Sequence, residues 1–282
     1  MKKGLVLEGG GLRGIFTAGV LDYFLEKNVE FDECIGVSAG ACHACSYLAK
    51  QPKRAFNVSV DYLDNKKYAS FYNLVTTGDF FRVDFVYDEI PNKLSPIDNE
   101  TFKKNNTKFQ VVITNCETGE AEYPEVTDFD KDTILVRASS SLPFLSRKVV
   151  IEGKEYLDGG VSDSIPLKKS FENGNIKNVV IMTRDKNYRK TPSKLGKIAK
   201  IVYKKYPKLV EAIENRYKDY NENVEYIYDL EKKGEIFVIQ PEIPLDLGRI
   251  EKNREKLEKV YQIGYDTAKK QYKNMMEYLM KK

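Results

Sequence analysis

Cys34-Ile35-Gly36-Val37-Ser38-Ala39-Gly40 carries a short apolar run straight into a serine flanked by glycines. Cys34–Val37 reads as a buried strand. Ala39–Lys50, with small residues first and Tyr47 and Leu48 later, reads as the helix that follows. A G-x-S-x-G sequence at a strand-to-helix junction is the pattern of a nucleophile elbow. The turn is so tight that only small neighbours fit, and the hydroxyl is left projecting near a helix N-terminus. Taken alone, the same five residues also suit a glycine-rich turn with a serine N-cap, so the rest of the chain must decide between the two.

Upstream, Gly4–Glu8 forms a short apolar strand that ends in Gly9-Gly10-Gly11-Leu12-Arg13-Gly14. A helix follows with Ile15, Val20, Leu21, Phe24 and Leu25 spaced for one buried face. The opening is therefore strand–helix–strand–helix, which predicts an α/β fold with a mainly parallel sheet. Residues 52–108 are polar, interrupted by Phe71, Tyr72, Phe80, Phe81, Phe85 and Tyr87, and read as helices and loops over one end of that sheet. Sheet structure resumes at Phe109–Asn115, turning through Glu117-Thr118-Gly119-Glu120 into Ala121–Val126. Thr133–Val136 is a further short strand or the start of a helix. Lys148–Tyr156 holds a hairpin at Glu152-Gly153-Lys154, and Asn178–Thr183 is a strongly apolar strand. Past Pro192 the pattern is helical and charged, broken by a strand at Ile236–Gln240 and closed by a helix from about Arg249 to Met280. Neither an internal repeat nor a low-complexity linker divides the chain. Residues 4–184 are expected to form the core, with 185–282 a helical C-terminal subregion packed on the same domain.

Composition narrows the function classes. At 282 residues and 41% hydrophobic, the chain can bury a substantial core. A net charge of +4 argues against nucleic acid as a partner. The run after Met1-Lys2-Lys3 is too short for a signal peptide, and no window reaches the length of a membrane span. Cys34, Cys42, Cys45 and Cys116 do not form a disulfide framework, which points to a reducing cytoplasm.

Gly9–Gly14 formally matches G-x-G-x-x-G after a strand, which raises the alternative of a nucleotide-binding module. That fingerprint needs an acidic residue at the end of the second strand, where this chain has Ser38-Ala39-Gly40 instead. The other use of such a loop is an oxyanion hole, in which unhindered backbone N–H groups face a developing negative oxygen. Arg13 then either braces the loop, attracts an anionic head group, or is simply a helix-surface charge.

A serine nucleophile needs a base, and the single histidine, His43, lies five residues after Ser38. Five helical residues turn the chain by about 140° and advance it by about 7.5 Å, so His43 points away from the hydroxyl. A Ser-His-Asp triad is thereby excluded. Tyr156-Leu157-Asp158-Gly159-Gly160 offers a carboxylate in a tight turn after a strand, although Asp-Gly is also an ordinary hairpin turn. Burial beside the serine would make an aspartate a usable base.

Gly9–Gly14, Gly36–Gly40 and Asp158–Gly160, in that order, resemble the three signature blocks of the patatin-like phospholipases, and Ala138-Ser139-Ser140-Ser141-Leu142-Pro143 and Pro166 fit the same pattern. The resemblance runs from about residue 4 to about residue 184. Ser164 departs from it, standing where many members carry asparagine, with an expected effect limited to a local turn contact. The resemblance implies a three-layer α/β/α fold and a Ser–Asp dyad: Ser38 as nucleophile, Asp158 as base, within the motif glycines Gly36, Gly40, Gly159 and Gly160. It implies an oxyanion hole from Gly9, Gly10, Gly11 and Gly14 with Arg13 in support. The implied activity is phospholipase- or lysophospholipase-type ester hydrolysis through an acyl-enzyme, with no metal and no cofactor. An acyltransferase with the same dyad and a lipid-sensing scaffold with an inactive site are the alternatives.

Two further features stand apart. Cys42-His43-Ala44-Cys45 lacks the second ligand pair that zinc wants and reads as helix packing. Lys186–Lys208 holds nine Lys or Arg and no Asp or Glu, with Leu195, Ile198, Ala199, Val202 and Tyr206 at helical spacing. This predicts a basic amphipathic helix whose apolar side either faces the core or, with Lys194, Lys197, Lys200, Lys204 and Lys205, meets anionic lipid at the inner face of the membrane.

Overall fold

The computed structural model describes residues 1–247 and 251–281. The chain opens with β1 (Lys3–Leu7), α1 (Ile15–Glu26), β2 (Glu33–Gly36) and α2 (Ala39–Leu48). A run of short helices follows: α3 (Arg54–Val60), α4 (Phe71–Thr77), a π-helical segment (Phe85–Leu94) and α5 (Asn99–Lys104). Next come β3 (Lys108–Val111), β4 (Ile113–Asn115), β5 (Ala121–Glu122), α6 (Phe129–Ser139), β6 (Val149–Ile151), β7 (Lys154–Asp158), α7 (Leu167–Glu172) and β8 (Lys177–Ile181). The C-terminal part adds α8 (Gly196–Val202), α9 (Pro207–Lys233), β9 (Ile236–Ile239) and α10 (Arg254–Met280).

Five strands, in the order β3-β2-β1-β8-β9, make a wholly parallel sheet. Its strands are buried on both faces, which is why they read as continuous apolar runs. Leu5, Leu7, Val179 and Ile181 pack with α1, α2 and α10, whereas Val6, Val180 and Met182 pack with α9 and the start of α7. Alternate residues of one strand thus serve opposite helical layers, giving the expected three-layer α/β/α arrangement. The C-terminal part contributes edge strand β9 to the sheet and a long helix to each layer.

Phe109–Asn115 is two strands where one was expected. At Val112 the chain leaves the parallel sheet, and β4 enters a second, antiparallel sheet of order β5-β4-β7-β6. Pro124 cannot donate to a ladder, and β5 stops short of it. Glu152 and Gly153 both take positive φ (50° and 79°), the two-residue turn that suits the twist of the β6–β7 hairpin. Thr133–Val136 falls inside α6, which Asp128 caps by accepting from the Asp130 N–H.

The long basic helix is also corrected. Only Gly196–Val202 is helical. Pro192 blocks continuation from upstream, and Pro207 forces Tyr206 out of the α region (φ −126°, ψ 70°) before starting α9. Ala199 and Tyr203 face inward, while Leu195, Ile198, Ile201 and Val202 are 37%, 46%, 76% and 56% exposed. The expected start of the last helix at Arg249 lies outside the described residues. Among the described residues no helix is long and apolar enough to cross a membrane.

Candidate active site

Ser38 sits between the end of β2 and α2 with φ 53° and ψ −121°, a conformation that non-glycine residues rarely hold. Its neighbours explain how the turn survives. A Cβ on Gly36 would lie 2.7 Å from the Ala41 Cα, and one on Gly40 would lie 2.8 Å from the Leu7 carbonyl oxygen. The Ser38 N–H donates to Ser139 Oγ at 2.9 Å, so the end of α6 pins the strained residue.

The carboxylate arrives through the sheet change at Val112. The Val112 N–H bonds the Gly36 carbonyl at 3.1 Å, tying β4 to the elbow strand. β7 then pairs with β4 so that Asp158 stands opposite Ile113. Gly159 lies so close to the Val112 carbonyl that no side chain would fit. Ser38 Oγ donates to Asp158 Oδ2 at 2.7 Å, and the other oxygen, Oδ1, accepts from the Gly160 N–H at 2.7 Å. The backbone of Asp158 is held on both sides, by the Ser141 carbonyl at 2.8 Å and the Thr114 hydroxyl at 2.8 Å. Asp158 is 1% exposed, and burial raises its pKa above the usual carboxylate value despite the Ser38 hydroxyl, the Arg216 charge and the Gly160 N–H. A buried, oriented carboxylate of this kind can take a proton from the hydroxyl it touches.

The glycine loop lies against the elbow: a Cβ on Gly9 would be 3.3 Å from Ser38 Cβ. The Gly9 N–H is already engaged by the Ser164 carbonyl at 3.3 Å. Gly10 and Gly11 are different, since their N–H groups meet no acceptor among the described residues. Gly10 packs on Thr183, and Gly11 (φ 54°) borders open space. Gly14 is a packing residue, where a Cβ would collide with Ala39 Cβ at 2.8 Å and His43 Nε2 at 2.9 Å. Arg13 is half-buried, its Nε has no hydrogen-bond partner, and burial together with Arg184 lowers its pKa. It is therefore no simple surface charge.

His43 makes no bond to Ser38; burial beneath the glycine loop pushes its pKa down to about 4. Cys42 Sγ lies 3.2 Å from Ser140 Oγ, and Cys45 Sγ bonds the Ala41 carbonyl at 3.3 Å, with burial pushing both thiols up. No group of three metal-ligating side chains occurs among the described residues. A cleft of about 670 Å³ lined by Asp22, Tyr47, Lys53 and Tyr261 contains none of the elbow, dyad or loop residues.

Ser164 does more than the local turn contact expected of it. Its carbonyl holds Gly9, its hydroxyl donates to the Gly160 carbonyl at 2.9 Å, and Lys190 Nζ donates to that hydroxyl at 3.2 Å. The Arg216 guanidinium, from α9, also donates to the Gly160 carbonyl. Sequence reasoning missed Lys190 and Arg216. The one available signal was that Arg216 falls at helical spacing within the inward stripe Ile213, Tyr220, Val224 and Ile227.

A family model described as patatin-like phospholipase matches residues 5–169, and a domain of unknown function (DUF6363) matches residues 206–280. The chain is 31% identical over 250 residues to the uncharacterized protein YjjU of Escherichia coli (strain K12), covering 86% of this chain and 69% of that one. It is 28% identical over 184 residues to an uncharacterized protein of Acanthamoeba polyphaga mimivirus, covering 58% of this chain and 60% of that protein. The crystal structure of VipD from Legionella pneumophila aligns with a TM-score of 0.47 at 14% identity, over 97% of this chain and 67% of that one. Glycine loop, elbow serine and Asp158 all fall inside the matched 5–169, and the chain belongs to the patatin-like phospholipases, a family of lipid acyl hydrolases.

Proposed function

We propose that this protein is a serine lipid acyl hydrolase of the phospholipase or lysophospholipase type, working through a Ser38–Asp158 dyad. The 2.7 Å hydrogen bond from Ser38 Oγ to the buried carboxylate carries the reading. Ser38 Oγ attacks the ester carbonyl as its proton passes to Asp158. The tetrahedral oxyanion is met by the Gly10 and Gly11 N–H groups, and collapse expels the alcohol, which takes the proton from Asp158. Asp158 then draws a proton from water, whose oxygen attacks the acyl-enzyme; collapse breaks the bond to Ser38 Oγ, which takes the proton back from Asp158 as the fatty acid leaves. A fluorophosphonate probe tests this: the adduct is expected on Ser38 and absent in Ser38→Ala. An adduct elsewhere, or none on folded protein, overturns the mechanism.

The same reading includes docking on anionic lipid. Its support is the outward apolar face of α8 among Lys194, Lys197, Lys204 and Lys205, none of them ion-paired among the described residues; Lys200 pairs with Glu214 at 2.9 Å. α4 exposes Phe71, Tyr72 and Val75 in the same manner. Both helices adjoin one loop, through Phe144 N–H to the Tyr203 hydroxyl at 3.0 Å and Phe80 N–H to the Leu145 carbonyl at 2.8 Å. That loop continues from Ser139 and Ser141, which hold Ser38 and Asp158. A bilayer meeting this rim would present lipid to the dyad.

A further inference from the structure

Four cations gather where two sheet loops meet. Arg13 belongs to the loop after β1, Arg184 and Lys190 to the segment after β8, and Arg216 to α9. The strand order runs outward from β1 to β2 and β3 on one side and from β8 to β9 on the other. The loops after β1 and β8 therefore flank the place where the order reverses, the crevice in which open α/β sheets bind ligands.

None of the four is paired with a carboxylate among the described residues. Nearby, Lys186 reaches Glu231 at 3.6 Å and Arg189 reaches Glu225 at 2.5 Å, so acidic partners exist for that segment but not for Arg184 or Lys190. Arg184 stacks 4.0 Å from the Tyr188 ring centre, and Lys190 lies 3.6 Å from that of Tyr220. Arg13 Nε is buried with no acceptor. The two carboxylates that act on Lys190, Glu8 and Asp158, take their hydrogen bonds from other donors. Glu8 accepts from the Thr183 N–H and hydroxyl and from the Tyr220 hydroxyl, and Asp158 accepts from Ser38 and Gly160. Burial, more than anything else, holds the Lys190 pKa well below its ordinary value, with Arg216 and Arg13 acting in the same direction and Glu8 and Asp158 opposing them.

We propose that Arg13, Lys190 and Arg216 form a binding site for a phosphate-type oxyanion beside Ser38, selecting acyl esters whose alcohol carries a phosphate close to the scissile bond. The substrate half of this rests on the acyl hydrolase reading. Proximity follows from the bonds: Arg216 holds the residue two beyond Asp158, and Lys190 holds Ser164, whose carbonyl anchors Gly9 against Ser38. Two guanidinium forks and an ammonium suit a phosphomonoester. A head group bearing its own amine would set another positive charge among these cations, which disfavours zwitterionic lipid. Lys190 and Arg216 both lie beyond the residues of the patatin-like match, and Arg216 lies within the domain of unknown function.

The test compares kcat/KM for 1-oleoylglycerol 3-phosphate with that for 1-oleoylglycerol. Wild type, Lys190→Gln, Arg216→Gln and Lys190→Arg are assayed, with inorganic phosphate binding followed by calorimetry on the same proteins. Loss of a charge-assisted hydrogen bond predicts that the phosphate-to-neutral ratio falls about tenfold or more in Lys190→Gln and Arg216→Gln. Lys190→Arg should keep most of it, and phosphate binding should weaken in parallel. Lys190→Gln alone carries the test if Arg216→Gln fails to fold. An unchanged ratio with unchanged phosphate binding overturns the proposal. Phosphate binding lost in the variants at an unchanged ratio overturns its substrate half and leaves free phosphate as the ligand. If wild type cleaves neither ester and Ser38 takes no fluorophosphonate, the hydrolase reading has failed, and calorimetry alone decides the anion site.

Discussion

Asp158 has two acceptor oxygens and two donors, Ser38 Oγ and the Gly160 N–H, in a pocket that excludes water. An asparagine can keep the Gly160 bond through its carbonyl and turn its amide toward Ser38, but it cannot accept the serine proton. Asp158→Asn is expected to cut ester hydrolysis by about a thousandfold or more, to much the same level as Ser38→Ala, with the double variant no worse than either. The pH behaviour follows from the sign of the shift. With a folded pKa above the unfolded one, Asp158 favours folding most below its unfolded pKa, and that contribution is lost as pH rises through the folded value. At neutral pH the buried carboxylate is therefore a cost, and Asp158→Asn should melt at or above the wild-type temperature. Wild-type kcat/KM should fall on the acid side through a pKa higher than that of an ordinary aspartate. A variant that melts several degrees lower, or an acid limb at the ordinary value, contradicts this account.

α1 and α10 meet almost backbone to backbone. A Cβ on Gly19 would enter the Tyr261 carbonyl, and one on Gly264 would enter the Phe16 carbonyl. Around this contact Tyr261 donates to Asp22 at 2.7 Å, and Tyr23 meets the edge of Tyr265 at 5.2 Å. Helix propensity alone says that Gly264→Ala should gain about 1 kcal/mol. Overpacking against fixed backbone costs about 1–3 kcal/mol, so the clash wins and the variant is expected to be less stable. The urea midpoint checks it, and a midpoint at or above wild type would mean that α10 shifts freely on α1. The same reasoning applies to the elbow, where Gly36 and Gly40 are needed for close approach and neither has positive φ.

For the molecule as a whole, α4 and α8 both expose apolar residues, and each adjoins the 142–147 loop through one hydrogen bond. Lys197, Lys200, Lys204 and Lys205 together changed to glutamine should weaken binding to anionic vesicles, each lysine contributing about 1 kcal/mol near a charged surface. Ile198 and Ile201 changed to serine should weaken binding to neutral vesicles as well; co-sedimentation measures both, and unchanged binding in both variants removes lipid docking. How much was legible in sequence follows from range. The strand–elbow–helix opening, the hairpin at Glu152-Gly153 and the single misplaced histidine depend on neighbours within a few residues, where turn sterics and periodicity act, so the sequence determined the α/β class and the elbow serine. Asp158 as its partner came from the resemblance of three motif blocks taken together. Long-range geometry was not legible. The sheet change at Val112, which sets Asp158 against Ser38, depends on pairing between segments far apart in the chain. The outward turn of the α8 face depends on what α9 and the 142–147 loop leave room for. Ser164, Lys190 and Arg216 are ordinary polar residues along the chain, and only tertiary structure, by bringing the cations Lys190 and Arg216 to Ser164 and Gly160 beside the dyad, gives them a shared electrostatic environment.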